Sequence, residues 1–445
     1  MFVLSLCCRI EETVQGGEKL AHIALDIGSS YLKGAVLYPE RLEVSFYRQE
    51  VAPPNQSTIS TRYEVDAEVL FKQVHRMLDG LLAIAPESQG ILLCTQMHGY
   101  VLTDHAFCPV SPYVTWQDRA STEERPGGST LDVLKNILPA RAMESAGVPV
   151  KANLAMCSLA ARGKQPEGAM FNTLGGYLIG RLCGVHVCHL TNAAPTGMTD
   201  VKNATWQEEL IKEAGLEGLK YPHIFTGLEK CGTYYFQGRS YPFFPDIGDQ
   251  QACVMGALLR PETDLSVNIG TAGLISRATK YFSRGNYETR PYFGLYLNTV
   301  SGLEGGRNLE ALINREAKET DLTQDEIWKV LTSLFPDKEA TSPVEIEGKR
   351  LYRQMSESYR EAKMRLGNGM NRIVYSGGCT RRNPALREWL KQAMGFQFQA
   401  EPMQMDSMNG LLQMALVLDG QAADFDQARM IMEKAAVEGE WENGA

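Results

Sequence analysis

Two segments of this chain repeat one pattern. Residues 24–36 (ALDIGSSYLKGAV) and 266–278 (SVNIGTAGLISRA) each run apolar strand, acid or amide, Ile-Gly, hydroxyl, apolar strand. Asp26 and Asn268 hold equivalent places, about half of the 445-residue chain apart. Two lobes, each opening on a β-hairpin, accommodate that spacing. The length agrees, because it exceeds what one hydrophobic core organises. Gly beside Ser or Thr is also common in unrelated hairpin turns. Spacing alone therefore leaves a duplicated unit and two independent turns both open.

The rest of the chain has α/β texture, with strands rich in Val, Ile, Leu and Tyr alternating with helical patterns. The pattern predicts strands at 22–25 and 31–38, a helix over 68–86 stopping at Pro86, and a buried strand from Gly90 to Met97. Mainly helical signals cover 122–149 and 157–183. Thr205 is placed to cap a helix closed by Gly215. A helix over 249–260 precedes the second strand–turn–strand. Helices follow near 323–334 and 350–366, then a strand RIVYS, a helix capped by Asn383 with Pro384 at its first position, and a last helix near 406–418. Residues 1–20 read as a poorly ordered leader and 436–445 as a frayed acidic tail, leaving lobes at 21–250 and 251–435.

Net charge is −9 and charged residues make up 22% of the chain, with 44% hydrophobic. This is an ordinary globular composition. It argues against nucleic acid or an anionic membrane surface as a partner held by a broad basic face. No apolar stretch approaches the roughly 20 residues that cross a bilayer. Ten cysteines without a disulfide spacing favour reduced thiols in the cytoplasm. Cys183, His186, Cys188 and His189 lack a usual zinc spacing and read as a strand edge.

Phosphates require backbone N–H groups brought close, hydroxyl donors, and a carboxylate for the metal. Asp26-Ile27-Gly28-Ser29-Ser30 offers all three in one turn. Asn268-Ile269-Gly270-Thr271 offers the amide and hydroxyl version without the acid, which suits one magnesium between two phosphate-facing turns. No Walker A sequence and no GxGxxG after a strand occurs. Asp249, just after Gly248 at a helix start, reads on local sequence first as a plain N-cap and second as a candidate base for an alcohol nucleophile. Gln96-Met97-His98-Gly99 ends a buried strand, where open α/β sheets place ligands. Trp116-Gln117-Asp118-Arg119 combines an aromatic face, a carboxylate and a guanidinium, which suits a polyol or a surface ion pair.

In this order, DIGSSYLKG, QMHG at 96–99, WQDR at 116–119, DQQA at 249–252, NIGTAG at 268–273 and SGGCTRRN at 376–383 resemble the FGGY carbohydrate kinase family across residues 22–420. The resemblance implies an α/β, two-lobed actin-like ATPase/hexokinase (ribonuclease H-like) fold with a ligand cleft between the lobes. It implies ATP and Mg2+ as cofactors, a small sugar as substrate, and a homodimer as one possible assembly. Asp26 then lies near magnesium, and Gly28, Ser29, Ser30 and Lys33 form the first phosphate motif. Gly270 and Thr271 form the second. Gly377, Gly378 and Asn383 resemble the adenosine turn, with Gly305 and Gly306 beside it. Asp249 matches the catalytic base, while Gln96, Met97, His98, Asp118, Arg119 and Gln250 match substrate-contacting segments.

The QMHG and TWQDR forms look more like ketose kinases, sedoheptulokinase first and xylulokinase next. Three departures stand out: Ser-Ser where Thr-Thr is usual after Gly28, Gly176 where an acid commonly precedes Tyr177, and short connections between Arg119 and Met170. The competing readings are a silent ATP- or sugar-binding regulator and an actin-fold ATPase.

Overall fold

The computed structural model describes residues 20–438. Residues 1–19 of the leader expected over 1–20, and residues 439–445 of the tail expected over 436–445, lie outside them; residues 436–438 end a helix. The first sheet has seven strands. His22–Ile27 lies at its middle, antiparallel to Tyr31–Tyr38 and parallel to Gly90–Thr95. Glu43–Val51 flanks one side. Arg239–Phe243, Gly232–Phe236 and the short Ile247–Gly248 complete the other. The central strand is fully buried because both faces are covered. One cover is the helix Ala67–Ile84, whose N-terminus is capped by Asp66 accepting from Glu68 and Val69 N–H.

The second sheet has six strands on the same plan. Asp264–Ile269 runs antiparallel to Gly273–Thr279 and parallel to Arg372–Ser376. Leu295–Leu303 and Glu288–Tyr292 extend one side, and Phe398–Gln399 the other. Asp26 and Asn268 occupy matching positions in matching hairpins. That shared topology, not spacing, argues for a duplicated unit.

Between the sheets a third core gathers Ala24, Leu92 and Cys94 from the first with Ala278, Leu297 and Val374 from the second. It is built around two crossing helices, Asp249–Gly256 and Asp406–Leu418. The crossing tolerates no side chain at two points. A Cβ on Gly256 would lie 1.7 Å from Asp406 O, and one on Gly410 would lie 2.1 Å from Ala252 O. A separate cluster fills the smaller unit inserted between Thr95 and Gly232, with Phe171, Met156 and Met198 buried in it.

Several elements differ from expectation. Thr205 does not cap a helix: Thr205–Trp206 pairs with Thr199–Asp200, and the helix is Glu208–Glu213 after Gln207. The helical stretch 157–183 is broken by the strand Met170–Asn172, which pairs with Val101–Thr103. The helix expected from 350 begins at Pro343, where Ser342 and Glu345 form a capping box. Two further helices were not anticipated, Gly306–Glu319 and Phe425–Glu438. The latter buries Ala428, Met432 and Ala435, an i, i+4, i+7 stripe of small and flexible residues.

Candidate active site

The hairpin register sets Lys33 directly across from Asp26. Lys33 Nζ donates to Asp26 Oδ2 at 2.8 Å, and the carboxylate raises the lysine well above its ordinary range. Ser407 Oγ, from the start of the Asp406–Leu418 helix, donates to the same oxygen at 2.6 Å. Asp26 is 3% exposed. Beyond it, Gly28 N–H donates to Tyr31 O at 3.1 Å, which leaves Ser29 partly open and Ser30 exposed at the tip.

The second turn is built without charge. Asn268 Nδ2 donates to Ser376 Oγ at 2.8 Å. Gly306 N–H donates to Gly270 O at 2.8 Å and Arg307 N–H to Thr271 O at 3.2 Å, so the Gly306–Glu319 helix begins against the turn. Gly377 has φ of 90°, a conformation that favours glycine, and a Cβ there would press on Ile269 O at 2.6 Å. Its N–H donates to Asp406 Oδ2 at 2.9 Å. The structure thus brings Gly270, Thr271, Gly305, Gly306, Gly377 and Gly378 together. Asn383 is turned away: Oδ1 accepts from Leu386 N–H and Nδ2 donates to Tyr352 OH at 2.6 Å, both in the core.

One helix start therefore links both turns, Ser407 reaching Asp26 and Asp406 reaching Gly377. Sequence reading gave that helix no role in the site. Burial pushes Asp406 up to about 6 against the opposing charge of Arg381, 3.7 Å away.

Asp249 is the first residue of its helix, and Gly248 is the N-cap. Its carboxylate accepts from Gln250 N–H at 2.8 Å. Burial and the negative charge of Asp26 push it up to about 7, opposed by that N–H, Arg290 and Lys33. A carboxylate poised there switches charge near neutrality, as a general base requires. Gln250 reaches into the second sheet. Its Nε2 donates to Ser276 Oγ at 2.9 Å and Thr299 Oγ1 at 3.2 Å, while its Oε1 accepts from Arg290.

Met97 packs its sulfur against Gly248, which ties the 96–98 segment to the start of the Asp249 helix. His98 adopts φ of 69°, strained for a non-glycine residue. Burial, with Lys151 and Arg290 nearby, holds its imidazole well below its usual range and therefore neutral. His98 Nδ1 and Gln96 Oε1 are buried without a hydrogen-bond partner. Both atoms can still take up a hydrogen bond from a polar group placed beside them. Lys151, Glu288 and Arg290, which sequence reading passed over, complete this wall. Lys151 Nζ donates to Glu288 Oε1 at 2.5 Å and Arg290 Nη2 to Glu288 Oε2 at 2.6 Å. Burial alone would raise Glu288, but Arg290 and Lys151 hold it far below the usual carboxylate range. Glu288 and Arg290 are two apart on one strand and so share a face, the one local signal available.

Asp118 has its carboxylate taken up within its own lobe, by Arg162 at 2.7 Å, Ser158 at 2.7 Å and Tyr63 N–H at 3.1 Å. Arg119 is exposed, and its N–H donates to Thr61 O. From the same motif Gln117 reaches across the cleft, accepting from Arg307 Nη2 at 2.9 Å, with the Arg307 guanidinium 6.0 Å from the Trp116 ring centre.

Residues 21–240 match the family described as FGGY family of carbohydrate kinases, N-terminal domain. The chain belongs to that family. A glycerol kinase of Staphylococcus epidermidis is 28% identical over 154 residues, 33% of this chain and 30% of that relative. The matched part thus spans under a third of the relative's own length. Two solved FGGY structures share the fold over nearly the whole chain. A xylulose kinase from Rhodospirillum rubrum superposes with a TM-score of 0.76 at 17% identity, covering 92% of each chain. Plasmodium falciparum glycerol kinase with ADP superposes with a TM-score of 0.74 at 13% identity, covering 94% of this chain and 93% of that one. The two-lobed actin-like ATPase fold is therefore that of this FGGY chain, as its motifs implied.

Proposed function

We propose that this FGGY chain transfers the terminal phosphoryl group of Mg-ATP to a hydroxyl of a small sugar, most simply a ketose such as sedoheptulose or xylulose. Asp249 carries the reading: a carboxylate pushed to about 7, in the field of Asp26 and Lys33, with one neighbouring backbone N–H as its donor. Above that pH it accepts the proton of the attacking alcohol. Neutral His98 and Gln96 offer Nδ1 and Oε1 to the sugar's other hydroxyls, which orients the one that reacts. The polar turns at Gly28–Ser30 and Gly270–Thr271, one in each lobe, supply N–H and hydroxyl donors for the phosphates.

Asp26 fits a role in holding magnesium. Its Oδ2 is occupied by Lys33 and Ser407, while Oδ1 has no donor among the described residues. Those residues contain no group of three or more potential ligands, as expected for an ion held largely by phosphate oxygens and water. When bound, the ion would neutralise phosphate charge. Closure of the lobes over the sugar keeps water from the nucleotide. The eight described cysteines are all free, which supports a cytoplasmic setting, and no described helix is long and apolar enough to cross a membrane.

The test is ADP release by purified protein with Mg-ATP against ketoses, aldoses, polyols and sugar acids. Stimulation by one sugar names the substrate. Release independent of every sugar would replace this reading with an ATPase, and no release under any condition with a silent binder.

A further inference from the structure

Asp246 is a carboxylate with 0% exposure, three residues before Asp249, and no cation pairs with it among the described residues. It is held by neutral donors instead. Oδ2 accepts from Asn192 Nδ2 at 2.7 Å and Thr173 Oγ1 at 3.3 Å, and Oδ1 from His189 N–H at 3.1 Å. Burial pushes it up to about 7 in spite of them. An unpaired buried acid is costly unless its geometry is used.

Two of these donors, Asn192 and His189, lead to a wall of the cleft. Asn192 Nδ2 also donates to Thr95 Oγ1 at 3.1 Å, and Thr95 precedes Gln96. His189 Nδ1 meets Thr191 Oγ1 at 2.8 Å, and Thr191 Oγ1 accepts from Gly248 N–H at 3.0 Å, just before Asp249. The carboxylate sits where Gly175 leaves room. A Cβ on Gly175 would lie 2.2 Å from Asp246 Cβ and 2.3 Å from its Oδ2. The neighbouring Gly176 has no space either, since a Cβ there would meet Val187 O at 2.6 Å. The acid expected beside Tyr177 is thus absent from that helix, and an acid from residue 246 lies against it.

We propose that Asp246 is a positioning residue whose buried carboxylate fixes, through Asn192 and the His189–Thr191 turn, the backbone from which Gln96 and Asp249 project. It touches neither substrate nor the reacting atoms, and it rests on the kinase reading above. Replacing it with Asn sets an NH2 group against either the Asn192 Nδ2 or the His189 N–H donor, neither of which can accept from it, so one of these bonds is lost. The bonds that hold the floor then loosen, while the phosphate turns, built elsewhere, keep theirs.

The test uses the full chain with the sugar that the ADP-release screen identifies; if no sugar stimulates the wild type, the kinase reading fails first and separately. Asp246→Asn should lower kcat by about tenfold to a hundredfold, the scale of a small misplacement of a base, with KM for ATP within about twofold. A second variant moves the acid: Asp246→Gly together with Gly175→Asp puts a carboxylate at the same spot from the facing helix Leu174–Cys183. Recovery of kcat in the double variant to within about threefold of wild type supports positioning by the carboxylate. The proposal is overturned if Asp246→Asn keeps wild-type kcat, or if the double variant melts with the wild type yet stays as slow as Asp246→Asn. Loss confined to melting temperature, with kcat unchanged in the folded fraction, overturns it equally.

Discussion

The two hairpins share direction and sheet plan but not register, Ile27 facing Leu32 and Ile269 facing Gly273, and only the first carries charged side chains. Asp26 is clasped by Lys33 and Ser407, whereas Asn268 makes a neutral bond to Ser376. A duplicated scaffold has thus been divided into a turn with a carboxylate and a turn with an amide in its place. The difference follows from where Asp249 sits. Its carboxylate is already raised by the charge of Asp26, and a second acid at 268 would add further repulsion of the same sign.

The largest effect tests the partner of the charged turn. Asp249→Asn should cut turnover by about 10² to 10⁴, the range for a lost general base, while ATP binding measured by calorimetry persists. Near-normal turnover would remove Asp249 from the chemistry. Next, Asp26→Asn removes the carboxylate from the first turn and leaves Lys33 without its partner. Activity should fall by at least about tenfold and the magnesium titration should shift to higher concentration; an unchanged titration would contradict the assignment. The converse change, Asn268→Asp, should raise KM for ATP by about tenfold, equivalent to about one pKa unit of repulsion.

Two smaller effects sharpen the comparison. In the wild type kcat/KM should rise with pH through about 7 and level off above it, because Asp249 must be ionised. Stability moves the other way. Its folded pKa lies above the unfolded value, so between about pH 4 and 7 the folded state binds more protons and loses stability as pH rises. Chemical unfolding of Asp249→Asn should therefore show a shallower decline across that window than the wild type. Smallest of all, Arg307→Gln should change activity by no more than about threefold if its contact with Gln117 is only an exposed link between lobes.

Much of this was legible beforehand. Both hairpins, the capped helix after Asn383 and the helix starting at Asp406 follow from local pattern, because turn and cap residues act within a few positions of themselves. The two glycine-bearing turns were readable for the same reason, whereas local sequence offered Asp249 first as a helix cap. Lys151, Asp406 and Ser407 were not, since their partners lie far along the chain, as Ser407 and Asp26 do. Asp118 and Asn383 carry the right residue type in the right motif, yet spend their polar groups on Arg162 and Tyr352. A motif names a residue but not the direction its side chain takes.

What the sequence determined by itself was the alternation of strand and helix, the two glycine-bearing turns, and an acid at one of them with an amide at the other. Only the tertiary structure decided that the helices at Asp249 and Asp406 cross close enough to exclude any side chain at Gly256 and Gly410. That crossing brings Asp406 and Ser407 onto both turns and places Asp249 in the field of Asp26. The reason is physical: hairpins and caps are settled by short-range sterics and hydrogen bonds. The charge a buried carboxylate carries depends instead on desolvation and on neighbours that only packing brings near.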